Sequence, residues 1–167
     1  MFWFTADWHL GHDNVMRHCA RPFDGVTEMA ETIVRRYNEV VGKGDTCYFL
    51  GDTIWNKDHA KYLDQLGGNK VYLAGNHDRG WAKVKRMEIW HFKGETPGFY
   101  MCHLPLLTWP TMAHGEGHIH GHSHGLLPKT HNRLDVGVDA WNFYPVDYDT
   151  IANYFAIPLD NDPRCMV

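Results

Sequence analysis

Lys70-Val71-Tyr72-Leu73-Ala74-Gly75-Asn76-His77-Asp78 is the stretch on which the reading of this chain turns. Its first half, Lys70 to Ala74, is a compact apolar run of the kind that forms a buried strand. Its second half switches to a glycine and three side chains able to bind cations or move protons. The same switch recurs on either side. Phe2 to Ala6 is followed by Asp7-Trp8-His9, and Thr46 to Leu50 by Gly51-Asp52. Phe99 to Cys102 leads into His103, and Gly117 to Ile119 into His120-Gly121-His122-Ser123-His124. Ligand sites in α/β sheets form beyond strand carboxyl ends. Five polar clusters at such ends can therefore converge on one place.

The intervening segments supply the helices. Val26, Met29, Ala30, Ile33, Val34, Tyr37 and Val41 recur at helical spacing, which predicts an amphipathic helix. Asp58 to Leu66 predicts a second, stopped by Gly67-Gly68. Gly11 to Ala20 reads as loop and short helix, and Arg79 to Met87 as helix. Glu88 to Phe92 and Phe99 to Cys102 bracket a turn and predict a hairpin, and Leu134 to Val138 predicts another strand. Early strands alternate with helices, while the later strands look like neighbours in a meander. The expectation is an α/β layered sandwich of two mixed β-sheets flanked by helices. No repeat or low-complexity linker divides the chain, so 1–167 reads as one domain.

Composition narrows the function. The net charge of −4 lacks the basic surplus of a protein that grips long nucleic acid by its backbone. Histidine, present 13 times, is the commonest metal ligand. Cys19, Cys47, Cys102 and Cys165 have no zinc-knuckle or redox spacing. With Cys47 and Cys102 inside apolar runs, they point to a reduced, cytoplasmic protein. The N-terminal apolar run is too short for a signal peptide, and no run approaches a membrane span of roughly 20 residues. Cys165 is not placed for prenylation.

The donors also suit one another. Aspartate and asparagine offer oxygen and histidine offers nitrogen, a set for ions such as Mn, Fe, Zn or Ni. Gly51, Gly75 and Gly121 are expected to let the backbone turn sharply after each strand. In an extended segment His122 and His124 would share a face and could serve two neighbouring ions.

The ordered motifs Asp7-x-His9, Gly51-Asp52, Gly75-Asn76-His77-Asp78, His103 and Gly121-His122-x-His124 resemble the calcineurin-like metallophosphoesterase superfamily. Gly11-His12-Asp13-Asn14, Arg21-Pro22-Phe23 and Gly137 to Asn142 further resemble a small bacterial and phage branch of it. The resemblance implies a single domain of that superfamily with four layers, αββα, and no capping domain. It implies two divalent ions, Mn foremost, with Fe, Zn and Ni as alternatives. One would be held by Asp7, His9, Asp52 and His124, the other by Asp52, Asn76, His103 and His122, with Asp52 bridging. The implied activity is hydrolysis of a phosphate mono- or diester by in-line attack of a metal-bridging hydroxide. His77 would be the leaving-group acid, with Asp78 orienting it. The expected partner is a small phosphate ester, a nucleotide among the candidates, and neither a membrane nor a long nucleic acid.

Around that set, His12, Asn14, Arg17 and Arg21 are candidates to line the substrate pocket, against a capping or surface role. Trp55, Trp141 and Tyr144 could stack on a base or sugar, although packing is the commoner role of such residues. His118 and His120 read as strand residues or as donors to the ligand set. Two competing functions have distinct signatures. A metallo-β-lactamase-type hydrolase needs an aspartate inside its histidine motif, and 120–125 has none. A catalytically silent metal-binding or scaffold protein of the same fold would show gaps in the ligand set, and here every position is filled.

Overall fold

The computed structural model describes residues 1–78, 87–93 and 97–156. The expected helix over 79–87 and the tip of the hairpin turn lie largely outside these residues. So does Cys165.

β1 (Phe2–Thr5), β2 (Thr46–Leu50) and β3 (Asn69–Leu73) are parallel, β2 pairing with both. Between them run α1 (Asp13–His18), α2 (Val26–Val40) and a 3₁₀ helix at Lys57–Gln65, where an α-helix was expected. β8 (Val146–Asp147) closes the first sheet antiparallel to β1, giving the order β3-β2-β1-β8. The second sheet has the order β4-β5-β6-β7, from Trp90–Phe92, Phe99–Met101, Gly117–His120 and Arg133–Asp135. The chain is thus α/β with two mixed sheets.

The expected meander is corrected. Among the described residues of this sheet only β4 and β5 pair antiparallel, whereas β5–β6 and β6–β7 are parallel. Parallel neighbours need a crossover, and the long connections 102–116 and 121–132 provide it. The last helix, α3 (Tyr148–Phe155), had no expected counterpart. It is capped by Asp147, whose carboxylate accepts from Thr150 N at 2.8 Å.

Strand alternation sorts the core. Cys47 and Phe49 of β2 point to α2 and its partners Met29, Ile33 and Tyr37. Phe4, Leu50 and Leu73 point the other way and meet Phe92, Phe99, Met101 and Ile119 of the second sheet. The two sheets therefore pack face to face, and α2 and the 3₁₀ helix cover the outer face of the first. Aromatic rings reinforce the seam, with Phe4 edge-on to Phe92 and to Phe99 at 5.4 and 5.2 Å. Ile151 and Phe155 of α3 join the same core. Among the described residues no helix is long and apolar enough to cross a membrane.

Candidate metal centre

Each strand ends where its polar cluster begins. Asp7 and His9 follow β1, Asp52 follows β2, Asn76 follows β3, His103 follows β5, and His122 and His124 follow β6. Parallel pairing within each sheet brings these ends to one edge. Two groups of donors result. The ligand atoms of Asp7, His9 and His124 lie within 4.8 Å of one another, as do those of Asp52, His103 and His122.

Asp52 touches both groups. Its Oδ2 is 3.6 Å from His9 Nε2 and 3.3 Å from His103 Nε2. Asn76 joins the second group through Oδ1, 2.9 Å from His103 Nε2. The seven side chains expected as ligands are thus gathered into two adjoining sets.

A recurring device aims these donors: one polar atom is tied to the scaffold and the other is left free. Asp7 Oδ2 accepts from His122 N at 2.8 Å, and its buried Oδ1 has no hydrogen-bond partner among the described residues. Asp52 Oδ1 accepts from His77 N at 2.8 Å, and Oδ2 faces the histidines. His103 Nδ1 donates to Leu50 O at 2.9 Å, so in the neutral ring Nε2 presents a lone pair toward Asn76 Oδ1 and Asp52 Oδ2. His124 Nδ1 is held by Asp139 Oδ2 at 2.6 Å. Both nitrogens of His9 are buried without a hydrogen-bond partner among the described residues.

Such an accumulation of lone pairs calls for a cation. The ionisation behaviour agrees. Burial pushes Asp7 up to about 7, only partly offset by His103 and His124. Burial pushes His9 down to about 3, which keeps it neutral. At Asp52 burial opposes ionisation, but the hydrogen bond and charge of His103 prevail and hold it at about 2. Burial likewise works against protonation of His103, yet Asp52 and Asp7 raise its pKa on balance. Each of the two donor groups could therefore hold a metal ion.

Backbone strain is concentrated here. Asp7, His9, Asp52, His122 and His124 all have positive φ, between 49° and 67°. This region is uncommon for residues other than glycine and costs of order 1–3 kcal/mol each. The expectation that His122 and His124 lie on one face of an extended segment is corrected. Left-handed turns at both residues send His124 to the Asp7 group and His122 to the Asp52 group. The expectation for the glycines also changes. Gly51 does take positive φ, at 95°. Gly75 and Gly121 do not; they are needed because a Cβ would meet Asp52 Oδ1 at 2.1 Å and Asp7 Oδ2 at 2.7 Å.

His77 is exposed on the rim, its ring 5.8 Å from that of His9 and 4.9 Å from that of Trp55. Asp78 stands elsewhere than expected. Its Oδ2 accepts from Asp52 N and Gly75 N at 2.6 and 2.8 Å, and its Oδ1 from Thr53 N at 2.9 Å. The buried carboxylate thus braces the loop that presents Asp52.

Among the expected pocket residues, His12 packs beside a ligand histidine. It caps α1 by accepting from Val15 N at 3.0 Å, and its ring sits 5.7 Å from that of His9. Asn14 and Arg17 are exposed on α1. Arg21 as a phosphate ligand is corrected, because it is buried and its guanidinium is engaged. It donates to Asp139 Oδ1 and Oδ2, each at 2.7 Å, to Asp7 O at 2.6 Å and to Trp8 O at 3.0 Å.

Asp139 is the residue that sequence reasoning missed. It links the Arg21 fork to the His124 ring by holding Nδ1, which leaves Nε2 as the nitrogen free to bind a cation. Burial opposes its ionisation, but hydrogen bonds from His124 and Arg21 hold its carboxyl below the usual range. Asp135 plays a similar part, accepting from Ser123 Oγ, Gly125 N and Gly137 N. The signal lay in the Arg21-Pro22-Phe23 and Gly137 to Asn142 segments, where Arg21 and Trp141 had other candidate roles and Asp139 had none. Cys19 with His124 and Asp139 forms a third potential grouping. Burial and then Asp139 push its thiol up to about 11, and Asp139 is already spent on Arg21.

No family model matches the chain. It is 34% identical over 161 residues to the uncharacterized protein MJ1445 of Methanocaldococcus jannaschii, covering 89% of this chain and 88% of that protein. It is 28% identical over 182 residues to the gene 66 protein of Mycobacterium phage L5, covering 83% and 86%. Its fold is similar to that of AQ665, a protein of unknown function from Aquifex aeolicus. The TM-score is 0.69 at 21% identity, over 92% of this chain and 98% of that one.

Proposed function

We infer the function from the premise that this chain belongs to the family of the uncharacterized protein MJ1445, so that the site itself must supply the chemistry. We propose a dinuclear-metal-dependent phosphoesterase of the calcineurin-like superfamily, built on the αββα arrangement. The observation that carries the proposal is the position of Asp52 Oδ2, within 3.6 Å of His9 Nε2 and 3.3 Å of His103 Nε2. A single carboxylate so placed can belong to two ion sites at once.

Asp7, His9, Asp52 and His124 would hold one ion, and Asp52, Asn76, His103 and His122 the other. Bound there, a pair of divalent ions supplies positive charge for the phosphoryl oxygens and activates water. The chain's own residues do the rest. Asp78 holds the Gly51–Ile54 loop against Gly75, which keeps the carboxylate of Asp52 from swinging away. Asp139 and Leu50 O fix the rings of His124 and His103 with Nε2 presented. His77, exposed and anchored through its backbone N–H to Asp52, would give a ring proton to the departing alkoxide.

Metal content and hydrolysis test this together. The purified protein, supplied with Mn, Fe, Zn or Ni, should take up two equivalents and hydrolyse bis-p-nitrophenyl phosphate. Asp52→Asn should lose ions from both positions and activity with them. Full activity in that variant would refute the shared carboxylate. Two bound ions without turnover on a panel of mono- and diesters would favour the silent scaffold instead.

A further inference from the structure

The structure separates three aromatic side chains that the sequence left equivalent. Trp141 is half-buried and donates from Nε1 to Asp135 O at 2.7 Å. Tyr144 donates to Glu39 Oε2 at 2.7 Å and lies under the Arg36 guanidinium, 5.4 Å from it. Both are engaged in packing. Trp55 is 47% exposed and stands at the candidate metal centre. Its ring lies 4.9 Å from that of His77, 3.9 Å from that of His12 and 6.4 Å from that of His9.

This indole does not sit on a free loop. Trp55 N and Asn56 N both donate to Leu10 O, at 3.0 and 3.1 Å, and Leu10 N donates to Thr53 O at 3.0 Å. Ile54, next to it, is 2% exposed and bridged in parallel to Leu10. The loop carrying Trp55 is thus laced to the loop carrying His9. The two imidazoles that flank the indole are tilted by 53° and 50°, and nearly half of its surface stays open. A rigid aromatic surface costs little entropy to use for binding.

We propose that Trp55, backed by His12, is a stacking platform for a nucleobase on the leaving-group side of the substrate. The inference rests on the phosphoesterase reading, and it narrows the substrate class to nucleoside phosphate esters. Trp55 adjoins His77, so a base stacked there belongs to the group that departs. Water adds to phosphorus and releases one proton to solvent, the P–O bond to the nucleoside breaks, and the nucleoside oxygen leaves with the proton given by His77, which solvent then restores. A π-face accepts any base, so the platform selects for a planar group and not for its identity.

The test uses the Mn-loaded full chain and two non-hydrolysable ligands, adenosine 5′-methylenephosphonate and the same sugar phosphonate without its base. Mn uptake is measured first, then both affinities by calorimetry. Wild type should prefer the ligand with the base by about tenfold. Trp55→Ala should bind Mn normally and lose that preference, while Trp55→Phe keeps most of it. If Trp55→Ala fails to take up Mn, Trp55→Leu, apolar but without a π-face, replaces it. A preference that survives removal of the π-face, or none in wild type, with Mn bound in either case, overturns the platform alone. Absence of Mn uptake by wild type overturns both the platform and the reading beneath it.

Discussion

Replacing Asp139 by asparagine separates two tasks that its carboxylate performs. It pairs with the Arg21 guanidinium through two contacts of 2.7 Å and holds His124 Nδ1 at 2.6 Å. The Arg21 side chain is 0% exposed and that of Asp139 7% exposed. Removing one partner of such a pair leaves an uncompensated buried charge, which costs about 3–5 kcal/mol. For a domain of this size each kcal/mol lowers Tm by about 2–4 °C. The metal-free variant should therefore melt roughly 6–20 °C below wild type. The second task is local to the ion held by Asp7, His9 and His124. Loss of a carboxylate that orients a ligand histidine typically weakens metal binding about 10–100-fold, or about 1.4–2.7 kcal/mol. Calorimetric Mn titration should show one site weakened to that extent and the other, held by His103, Asn76 and His122, much less affected. Equal weakening of both sites, or of neither, would refute the assignment of Asp139 to His124. An unchanged melting temperature in the metal-free state would refute the buried pair.

His77→Ala should keep both ions. It should lose about 10²–10⁴-fold in turnover on alkyl esters and much less on p-nitrophenyl esters, whose leaving group needs no proton; metal analysis beside kinetics decides, and loss of ions would make His77 a ligand. Gly75→Ala would drive a Cβ to 2.1 Å from Asp52 Oδ1, so it should abolish Mn uptake at both positions, and a titration equal to wild type would overturn the close-approach argument. His118 is fully buried, its ring held between Tyr100 O, Leu104 O and Leu106 N, and burial pushes its pKa down from 6.5 to about 4. Between those values the unfolded chain binds the proton more readily, so this contribution to stability is complete above pH 6.5 and is lost as pH falls toward 4. The gap is worth about 3 kcal/mol, of which about 2 kcal/mol should go between pH 7 and pH 5. Urea unfolding of the metal-free protein should show that loss in wild type and a shallower slope in His118→Asn; identical slopes would sink the claim.

The convergence of the seven side chains expected as ligands was legible because chemistry and position coincide in this chain. A strand must stop where its apolar alternation stops, and the donors begin there, so Asp7, Asp52, Asn76 and His103 could be read from the run before each of them. The helix of Val26 to Val41 was legible from its period, and Val26–Val40 is helical. The pairing direction of the later strands was not, because a strand's sequence carries no mark of which neighbour it will meet. The short β8 and α3 also escaped, since a two-residue strand has no period to detect.

The sequence by itself thus determined the α/β alternation, the core faces and the inventory of donors, all of which follow from local periodicity and residue type. Only the tertiary structure decided which lone pairs are tied and which are free. It made Arg21 a buried brace and not a phosphate ligand, gave Asp78 to the Asp52 loop, joined Asp139 to His124, and left Trp55 open beside His77. The physical reason is that a polar side chain's role depends on whether its hydrogen bonds are satisfied. Residues 118 positions apart, such as Arg21 and Asp139, satisfy each other only once the chain has closed around them.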